Sequence, residues 1–210
     1  AEMPGFYSQN KYDLAGFCVG VVEEGKLIDG KNIRENDLII AIESSGIHSN
    51  GFSLVRNIIQ NVENIEDKFE KITNLKFYNE LLKPTKIYSN LIQQILLENI
   101  EIKGMAHITG GGIPENLPRC MHSDFIPHIY RDSWDIPYIF RFFKEVGEIP
   151  ENDLWNTFNL GVGYCLVVDK QYKQEVFNIC ESQGLSSWEI GKILNKKESN
   201  VNQLINGISL

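Results

Sequence analysis

The chain has 210 residues, 42% of them hydrophobic and 23% charged, and its formal net charge is −8. This composition indicates one folded domain with a sizeable core and excludes a disordered chain. The acidic balance argues against nucleic-acid binding, which needs a basic surface. Neither a long apolar segment nor a charged-then-apolar leader is visible, so we expect a cytoplasmic protein that does not insert into a membrane.

The first residues, Ala1 to Gly5, lack an initiator methionine and resemble the middle of a loop. We therefore expect the chain to be a fragment of a longer protein. A processed terminus or a cropped end is the alternative.

The cysteines indicate neither a disulfide framework nor a metal site. The four of them are far apart, and no Cys-x-x-Cys pair occurs. Three lie in apolar runs or on a predicted helix, which predicts buried, reduced thiols. A zinc site needs closer spacing with histidines, so we predict no metal ligands in this chain.

Periodicity and turn residues predict the elements of the first half of the chain. In order they are a strand at Leu14–Val22, a short partner strand at Lys26–Ile28, a strand at Asp37–Glu43, a helix at Ser53–Val62, mixed helix and loop at Ile65–Leu82, and a helix from Pro84 to about Glu98. Glycines within the first of these strands are expected where another segment packs close to the backbone.

The second half continues the alternation of strands and helices. Its predicted elements are strands at Met105–Ile108 and Phe125–Tyr130, a helix at Ile136–Val146, a strand at Leu160–Val168, a helix at Lys170–Gln183, and a terminal hairpin of Trp188–Leu194 with Val201–Ile205. Because some strands come in adjacent pairs, the pattern favours an α+β domain with a mixed β-sheet covered by helices.

Three consecutive glycines, Gly110, Gly111 and Gly112, follow the short strand that carries His107 and Thr109. Glycines after a strand leave backbone N–H groups uncovered, so a phosphate or carboxylate can approach them closely. The P-loop and dinucleotide fingerprints are both absent, and glycine triplets also occur in flexible turns. A flexible turn therefore stays open as an alternative to an anion-binding loop.

A second stretch of small residues, 44–51, lies between a predicted strand and a predicted helix. Its small polar residues surround His48 and are Ser45, Gly46, Ser49 and Asn50. A helix N-terminus presents unpaired N–H groups, which favour a phosphate. Residues 44–62 and 102–114 contain no acidic side chain. We expect the two stretches to meet in space and to hold an anionic small molecule together.

Charged side chains near the two stretches are candidates for chemistry. His48 and His107 can donate to a phosphate or move a proton near neutral pH. Satisfying their own loops is the alternative for both histidines. Arg56 and Arg119 can each clamp a phosphate through two hydrogen bonds. A surface salt bridge is the alternative, and it is preferred for Arg119.

Asn159 precedes the predicted strand at 160–168, next to Gly161 and Gly163. One interpretation is that its amide donates to a polar ligand while the glycines let that ligand approach. The other is that the glycines only relieve crowding within a packed sheet.

Six blocks of sequence occur in a characteristic order over nearly the whole chain. They are Ala-Glu-Met-Pro-Gly at 1–5, Gly-Phe-Cys-Val-Gly-Val-Val at 16–22, Ser-Ser-Gly-Ile-His-Ser-Asn-Gly-Phe-Ser-Leu-Val-Arg at 44–56, Leu-Lys-Pro-Thr-Lys-Ile-Tyr at 82–88, His-Ile-Thr-Gly-Gly-Gly-Ile-Pro-Glu-Asn-Leu-Pro-Arg at 107–119 and Phe-Asn-Leu-Gly-Val-Gly at 158–163. Together they closely resemble the aminoimidazole ribonucleotide synthetases, also called phosphoribosylformylglycinamidine cyclo-ligases. One departure is Tyr164, where that family often has methionine, and we interpret it as a packing change.

The resemblance implies that residues 1–210 are the C-terminal domain of such an enzyme, with 1–13 as an interdomain junction and the N-terminal ATP-binding domain absent. It implies an α/β/α layered domain, partly ferredoxin-like, and a homodimer for the full-length protein. Family members use ATP and Mg²⁺ to close the imidazole ring in de novo purine biosynthesis. The formyl oxygen of formylglycinamidine ribonucleotide is phosphorylated, and a nitrogen then displaces phosphate.

The resemblance also assigns the substrate side of that reaction to this chain. His48 and His107 are the residues expected to polarise an oxygen or move a proton. The expected substrate-binding residues are Ser45, Gly46, Ser49, Asn50, Arg56, Thr109, Gly110, Gly111, Gly112 and Asn159. The residues that bind ATP and metal are expected mainly in the absent half, with Glu2 at the junction between the halves. The chain alone is expected to fold but to be inactive.

Two alternatives stay open. One is another ATP-using enzyme of the same superfamily, such as formylglycinamidine synthetase, selenophosphate synthetase, a hydrogenase-maturation protein or thiamine-phosphate kinase. The other is a non-enzymatic domain that binds a partner through the face that an N-terminal half would cover. An exposed apolar patch on that face would mark such a domain.

Overall fold

The computed structural model describes residues 16–197, 204–205 and 208–209. The predicted junction at 1–13, with Glu2, lies outside the described residues. So do residues 14 and 15 of the first predicted strand and residues 201–203 of the predicted terminal hairpin.

One sheet of seven strands runs through the described part of the chain. The strands are β1 (Leu38–Glu43), β2 (Ile102–His107), β3 (Phe125–Ile129), β4 (Val162–Val168), β5 (Ser187–Asn195), β6 (Leu204–Ile205) and β7 (Ile208–Ser209). Their order across the sheet is β2-β4-β1-β5-β3-β7-β6. Neighbours are antiparallel except β3 and β7, which pair in parallel. The predicted mixed sheet is confirmed.

Helices cover both faces of this sheet. Those in the described residues are α1 (Phe52–Asn61), α2 (Ile65–Thr73), α3 (Phe77–Leu81), α4 (Ser89–Leu97), α5 (Gly112–Asn116), α6 (Tyr138–Val146), α7 (Glu151–Thr157) and α8 (Lys173–Ser182). The apolar residues of α4 and α8 form one buried cluster, and those of the other helices form a second. None of these helices has the length and apolar character needed to cross a bilayer.

Strand β1 shows why the molecule has three layers. Its side chains alternate, so that Ile40 and Ile42 join the cluster of α4 and α8, whereas Ile39 and Ala41 join the cluster on the opposite face. An almost continuous apolar strand is expected where both faces of a sheet are covered. The predicted α/β/α layered architecture is therefore confirmed.

The centre of the sheet has the ferredoxin-like arrangement that was expected. In chain order it consists of β1, α4, β2, β4, α8 and β5. These four strands lie in the order β2-β4-β1-β5, which is the split β-α-β pattern. Strand β4 consequently lies between β1 and β2.

Two predictions near the start of the chain are wrong in the described residues. Residues 16–22 form no strand, and Phe17, Val19 and Val21 are 94%, 87% and 102% exposed. Instead of a partner strand at Lys26–Ile28, a single 3-10 turn occupies Glu24–Lys26. An apolar run predicts a strand only if an edge is available for pairing, and no described strand pairs with these residues.

Three further differences between prediction and structure depend on contacts between distant parts of the chain. The helix predicted from Pro84 begins only at Ser89, because residues 84–88 bind neighbouring loops instead. Trp155 lies in α7, a helix that was not predicted. The predicted terminal hairpin is wrong, since β5 pairs with β1 and β3 while β6 pairs with β7.

Candidate functional site

The strand order brings the two predicted stretches to one edge of the sheet. Both β1 and β2 run antiparallel to β4, so they point in the same direction and end beside the start of β4. Stretch 44–51 follows β1, and the glycines follow β2. Two strands separated by one neighbour lie about 10 Å apart, which side chains can bridge.

Contacts between the two stretches confirm that they meet. The ring centroids of His48 and His107 are 6.3 Å apart. A Cβ atom built on Gly110 would lie 3.7 Å from Oδ1 of Asn50. The two predicted stretches therefore lie side by side.

Both stretches are also bound to the backbone at the start of β4. The N–H of Ser44 donates to the carbonyl oxygen of Gly161 at 2.8 Å, and the N–H of Ile108 donates to that of Gly163 at 2.9 Å. The start of β4 thus serves as a common support, so that the two loops keep a defined separation.

Four aromatic rings gather above this support. They belong to His48, Tyr88, His107 and Tyr164, with centroid separations of 5.1 to 6.4 Å between neighbours. Tyr164 stacks on His107 at an interplanar angle of 24°. Tyr164, which was interpreted as a packing change, thus lies within the candidate site, and that interpretation stays a prediction.

Gly163 makes room for this cluster. A Cβ atom at this position would lie 1.8 Å from Oη of Tyr88 and 2.8 Å from Cε1 of His48. Either ring would have to move for any other residue to fit. Gly163 thus relieves crowding, which is one of the two interpretations that the sequence allowed. The side chains for which it makes room, Tyr88 and His48, belong to the candidate site.

His48 is buried in its loop and has a left-handed backbone, with φ of 55°. Its Nε2 accepts the N–H groups of Ser45 at 3.2 Å and Lys86 at 3.5 Å. Burial, followed by the neighbouring charges of His107 and Lys86, lowers the pKa of His48 to about 4. His107 is more accessible, and its partial burial lowers its pKa as well. Both imidazoles are therefore neutral at neutral pH.

A third segment, 84–88, packs against stretch 44–51. The hydroxyl of Ser45 donates to the carbonyl of Pro84 at 2.6 Å, and the hydroxyls of Ser49 and Thr85 lie 3.2 Å apart.

Ionic and hydrogen bonds to Glu43 complete the attachment of this segment. The ammonium of Lys86 binds the carboxylate of Glu43 at 2.5 Å, and the hydroxyl of Tyr88 donates to the Glu43 carbonyl at 2.7 Å. Strand β1 therefore orients both Lys86 and Tyr88 toward the site.

The side chain of Asn116 binds the backbone of the glycine loop, which consists of residues 109–112. Its Nδ2 donates to the carbonyl oxygens of Gly112 at 2.8 Å, Gly110 at 3.1 Å and Thr109 at 3.4 Å. Its Oδ1 accepts from the Thr109 hydroxyl at 3.1 Å and from Arg119 at 3.3 Å. In a trans peptide the N–H points opposite to the preceding C=O. The N–H groups that follow these three carbonyls therefore face away from Asn116, and the loop is more ordered than a flexible turn.

Gly112 is required in this loop for steric reasons. Its φ is 59°, and a Cβ atom would lie 1.9 Å from the carbonyl oxygen of Trp155. The loop thus packs directly on helix α7, which fixes its position relative to β4.

Asn159 and Arg56 occupy different surroundings. Asn159 is fully buried, its Nδ2 donates to the carbonyl of Gly46 at 2.9 Å, and its Oδ1 accepts from Ser44 and Gly161. Asn159 thereby fixes the conformation of stretch 44–51. Arg56 is exposed on α1, with its guanidinium 5.8 Å from the ring of Phe52. Substrate binding by either residue stays a prediction.

Two cavities flank His107. One, of about 550 Å³, is also lined by Lys86, Tyr88 and Tyr164. The other, of about 380 Å³, is lined by Asn116 and Arg119. A larger cavity of about 780 Å³ lies between α4 and residues 22–32 and contains none of the predicted site residues. We place the site at His107, because the polar groups converge there.

Carboxylates are scarce around this site. Among the residues that the structure describes, no three His, Cys, Asp or Glu side chains come together in a way that could hold a metal ion. Glu43 is occupied by Lys86, and Glu115 lies 3.7 Å from Arg119. The described residues therefore form no ready-made cluster of metal ligands at this site.

Four contributors to the site were not among the predicted site residues. They are Lys86, Tyr88, Asn116 and Tyr164. A Pro-Thr-Lys-Ile-Tyr segment before an apolar helix reads as a helix start, and an asparagine within a short helix has no marked signal. Their roles depend on contacts across the fold, which local sequence does not reveal.

Solved structures with a similar fold show which class of domain this is. The structure is similar to that of thiamine-monophosphate kinase from Stenotrophomonas maltophilia K279a, with a TM-score of 0.54 and 17% identity over 83% of this chain and 52% of that one. It is also similar to hydrogenase maturation protein HypE, with a TM-score of 0.52 and 13% identity over 85% of this chain and 50% of that one. At such identities the likeness concerns the fold alone.

Sequence comparison then gives the family. Residues 34–202 match the family described as AIR synthase related protein, C-terminal domain, and the chain belongs to that family.

Two relatives show how similar the chain is to curated proteins. The chain is 66% identical over 205 residues to a phosphoribosylformylglycinamidine cyclo-ligase of Prochlorococcus marinus (strain MIT 9312), covering 98% of this chain and 59% of that protein. It is 50% identical over 194 residues to one of Synechococcus sp. (strain CC9902), covering 92% and 56%. The chain thus spans little more than half the length of these relatives.

Proposed function

We propose that this chain supplies the substrate side of the active site of a phosphoribosylformylglycinamidine cyclo-ligase. The observation that carries the proposal is the meeting of stretch 44–51 with the glycine loop around His48 and His107, in a chain 66% identical to a protein of that name. The proposed product is aminoimidazole ribonucleotide, an intermediate of purine biosynthesis.

The proposed chemistry has two steps. The γ-phosphoryl group of ATP passes to the formyl oxygen of formylglycinamidine ribonucleotide, and a nitrogen of the amidine then attacks the formyl carbon so that phosphate leaves. Phosphoryl transfer depends mainly on positioning and on neutralising charge. The role of this chain is to hold the substrate with the backbone N–H groups of the glycine loop and the polar groups of Ser49 and Asn50, while the histidines contact its reacting oxygen.

ATP is proposed as the co-substrate. PurL of T. maritima, solved in complex with ADP, shares this fold with a TM-score of 0.51 at 10% identity over 84% of this chain and 24% of that one. That likeness supports the architecture, and the resemblance to cyclo-ligases supports the nucleotide. Because the described residues form no cluster of potential metal ligands, we propose that any metal ion is held mainly by the other half of the protein.

The other half is also the proposed partner of this chain. Residues 16–22 expose Phe17, Val19 and Val21, and such apolar exposure is typical of a surface that another segment covers. We propose that an N-terminal domain covers it in a full-length, homodimeric, cytoplasmic enzyme. A separate partner protein is the second candidate, favoured by the same exposed residues.

The purified 210-residue chain tests the proposal. We expect it to show a cooperative thermal transition, to bind formylglycinamidine ribonucleotide in isothermal titration calorimetry, and to form no aminoimidazole ribonucleotide from it with ATP. The full-length Prochlorococcus marinus relative is the positive control for turnover. ATP-dependent cyclisation by the chain alone would refute the division of labour, and failure to bind the ribonucleotide would refute the substrate assignment.

A further inference from the structure

The strongest unexplained feature of the site is one nitrogen of His48. The residue is 3% exposed, and its Nδ1 is buried with no hydrogen-bond partner among the described residues. Buried polar atoms are nearly always paired, so an unpaired one beside His107 needs an explanation, such as a partner that the described residues do not supply. Whether Nδ1 carries a proton follows from the hydrogen bonds of the other ring nitrogen, Nε2.

The hydrogen bonds at Nε2 fix both the orientation and the tautomer of the ring. Two backbone N–H groups, from Ser45 and Lys86, point at Nε2. Turning the ring by 180° would place a C–H group against both donors. A nitrogen that accepts an N–H cannot carry a proton, so in a neutral imidazole the proton is on Nδ1. The buried unpaired atom is thus a hydrogen-bond donor.

The surroundings keep this arrangement in place. The charged and titratable groups around His48 are Lys86 and Tyr88 of the 84–88 segment, Glu43 of β1, His107 of β2 and Tyr164 of β4. Lys86 and Tyr88 are both bonded to Glu43. Burial, followed by the neighbouring His107 and Lys86, lowers the pKa of His48 to about 4, so the ring stays neutral at neutral pH.

We propose that His48 is a fixed hydrogen-bond donor, which binds a carbonyl or phosphoryl oxygen of the substrate through Nδ1–H and does not transfer protons. This inference rests on the proposed function, since it takes formylglycinamidine ribonucleotide as the ligand. It separates the roles of the two histidines. Any proton exchange falls to His107, which is the more accessible of the two.

Nuclear magnetic resonance of the chain labelled with ¹⁵N at histidine tests the tautomer without a ligand. We expect His48 to show a protonated Nδ1 and an unprotonated Nε2 from pH 7 down to about pH 5. His122, whose side chain is exposed, provides the control histidine. A protonated Nε2, or a charged ring at pH 7, would overturn the inference and leave the proposed function intact.

Adding formylglycinamidine ribonucleotide tests the bond itself. We expect the Nδ1–H resonance of His48 to shift together with the amide resonances of Gly110 to Gly112. Shifts of the glycine amides without a shift at His48 would overturn the inference alone. If no resonance moves, the proposed function fails, and the inference that His48 binds this substrate fails with it.

Two substitutions provide a second test. In His48→Asn the side-chain amide nitrogen can occupy the place of Nδ1, whereas in His48→Gln it lies nearer to that of Nε2. Asparagine also tolerates the positive φ of this residue. We expect His48→Asn to bind the ribonucleotide within about threefold of the unchanged chain, and His48→Gln to lose about tenfold or more. Equal losses in variants that unfold at the same temperature would contradict the proposal, and the tautomer measurement decides if either variant fails to fold.

Discussion

Single residues near the site connect segments that are far apart in the sequence or fix a loop from its centre. Asn159 reaches Gly46, 113 positions away, and Tyr88 reaches Glu43, 45 positions away. The sequence predicted the glycines and both histidines, because small residues around a histidine are visible locally. It did not predict Asn116 or Lys86, because an amide or ammonium becomes informative only when its acceptors are known.

Asn116 gives the first prediction at this scale. Asn116→Asp keeps the shape of the side chain but replaces its three N–H···O contacts by repulsion between a carboxylate and carbonyl oxygens. We expect the free energy of unfolding to fall by about 2–3 kcal/mol, measured by urea denaturation. The ribonucleotide affinity should fall as well.

Asn61→Asp is the control for that variant. Asn61 is exposed on α1, and its amide bonds the carbonyl of Asn57 within the same helix. The control should change the free energy of unfolding by less than about 0.5 kcal/mol. Equal effects of the two variants would contradict the structural role given to Asn116.

His48 gives a prediction about pH. Burial lowers its pKa from 6.5 to about 4, so the folded protein binds fewer protons than the unfolded chain between these values. The stability contributed by the neutral ring is complete above about pH 6.5 and is lost as the pH falls toward 4. At about 1.4 kcal/mol per pKa unit, the contribution is at most about 3 kcal/mol.

His48→Asn should therefore flatten the decline in the free energy of unfolding between pH 7 and pH 5, followed by urea denaturation. Some decline should remain, because burial also lowers the pKa values of His107 and His128. An unchanged slope in His48→Asn would show that His48 is already charged or equally solvated in the folded state.

At the scale of elements, most helices and strands could be predicted, because their apolar residues repeat with the period of the element. Strand β1 and helix α1 begin and end within one residue of the prediction. Residues 16–22 show the limit of that reasoning, since they form an apolar run typical of a strand but pair with no described strand. Pairing partners are a property of the sheet, so periodicity alone cannot supply them.

A buried ion pair connects β2 to the residue before β1, at the end of these strands that is farther from the site. Lys103 on β2 lies 2.6 Å from Asp37, which precedes β1, and both side chains are at least nine-tenths buried. Lys103→Met would leave the carboxylate buried without its counter-ion. We expect a loss of about 3 kcal/mol in the free energy of unfolding, measured by chemical denaturation.

The matched control is Lys31→Met. Lys31 lies 2.5 Å from Asp29, but its side chain is 84% exposed, so water can replace the interaction. Its removal should change the free energy of unfolding far less than Lys103→Met does. A cost as small for Lys103→Met would mean that the pair is solvated in solution.

At the scale of the whole molecule, the layered architecture followed from the resemblance and from the alternation of elements. The order of strands did not follow from periodicity, because the sequence does not state which strands are neighbours. The two apolar clusters lie on opposite faces of the same strands, β1 and β4, and this shared support has a measurable consequence.

We expect the chain to unfold in a single transition, because neither cluster can lose its strands without disrupting the other. Ile95→Ala on α4 and Phe143→Ala on α6 remove buried groups from different clusters. Each should destabilise the chain by about 2–5 kcal/mol. Both should shift the tryptophan fluorescence and circular dichroism midpoints equally. Separate midpoints in Ile95→Ala would show that the faces unfold independently, since Trp134 and Trp155 lie in the other cluster.

Strand β4 carries a constraint on how this domain can evolve or be engineered. Inserting or deleting one residue there would turn Tyr164 to the opposite face and shift both loop supports by one position. Residues 44–51 and 107–112 can exchange side chains to suit another ligand, but the length of the intervening strand must stay constant. Domains of this fold that bind other ligands should therefore differ in these loops, while gaps should be missing from the centre of the sheet.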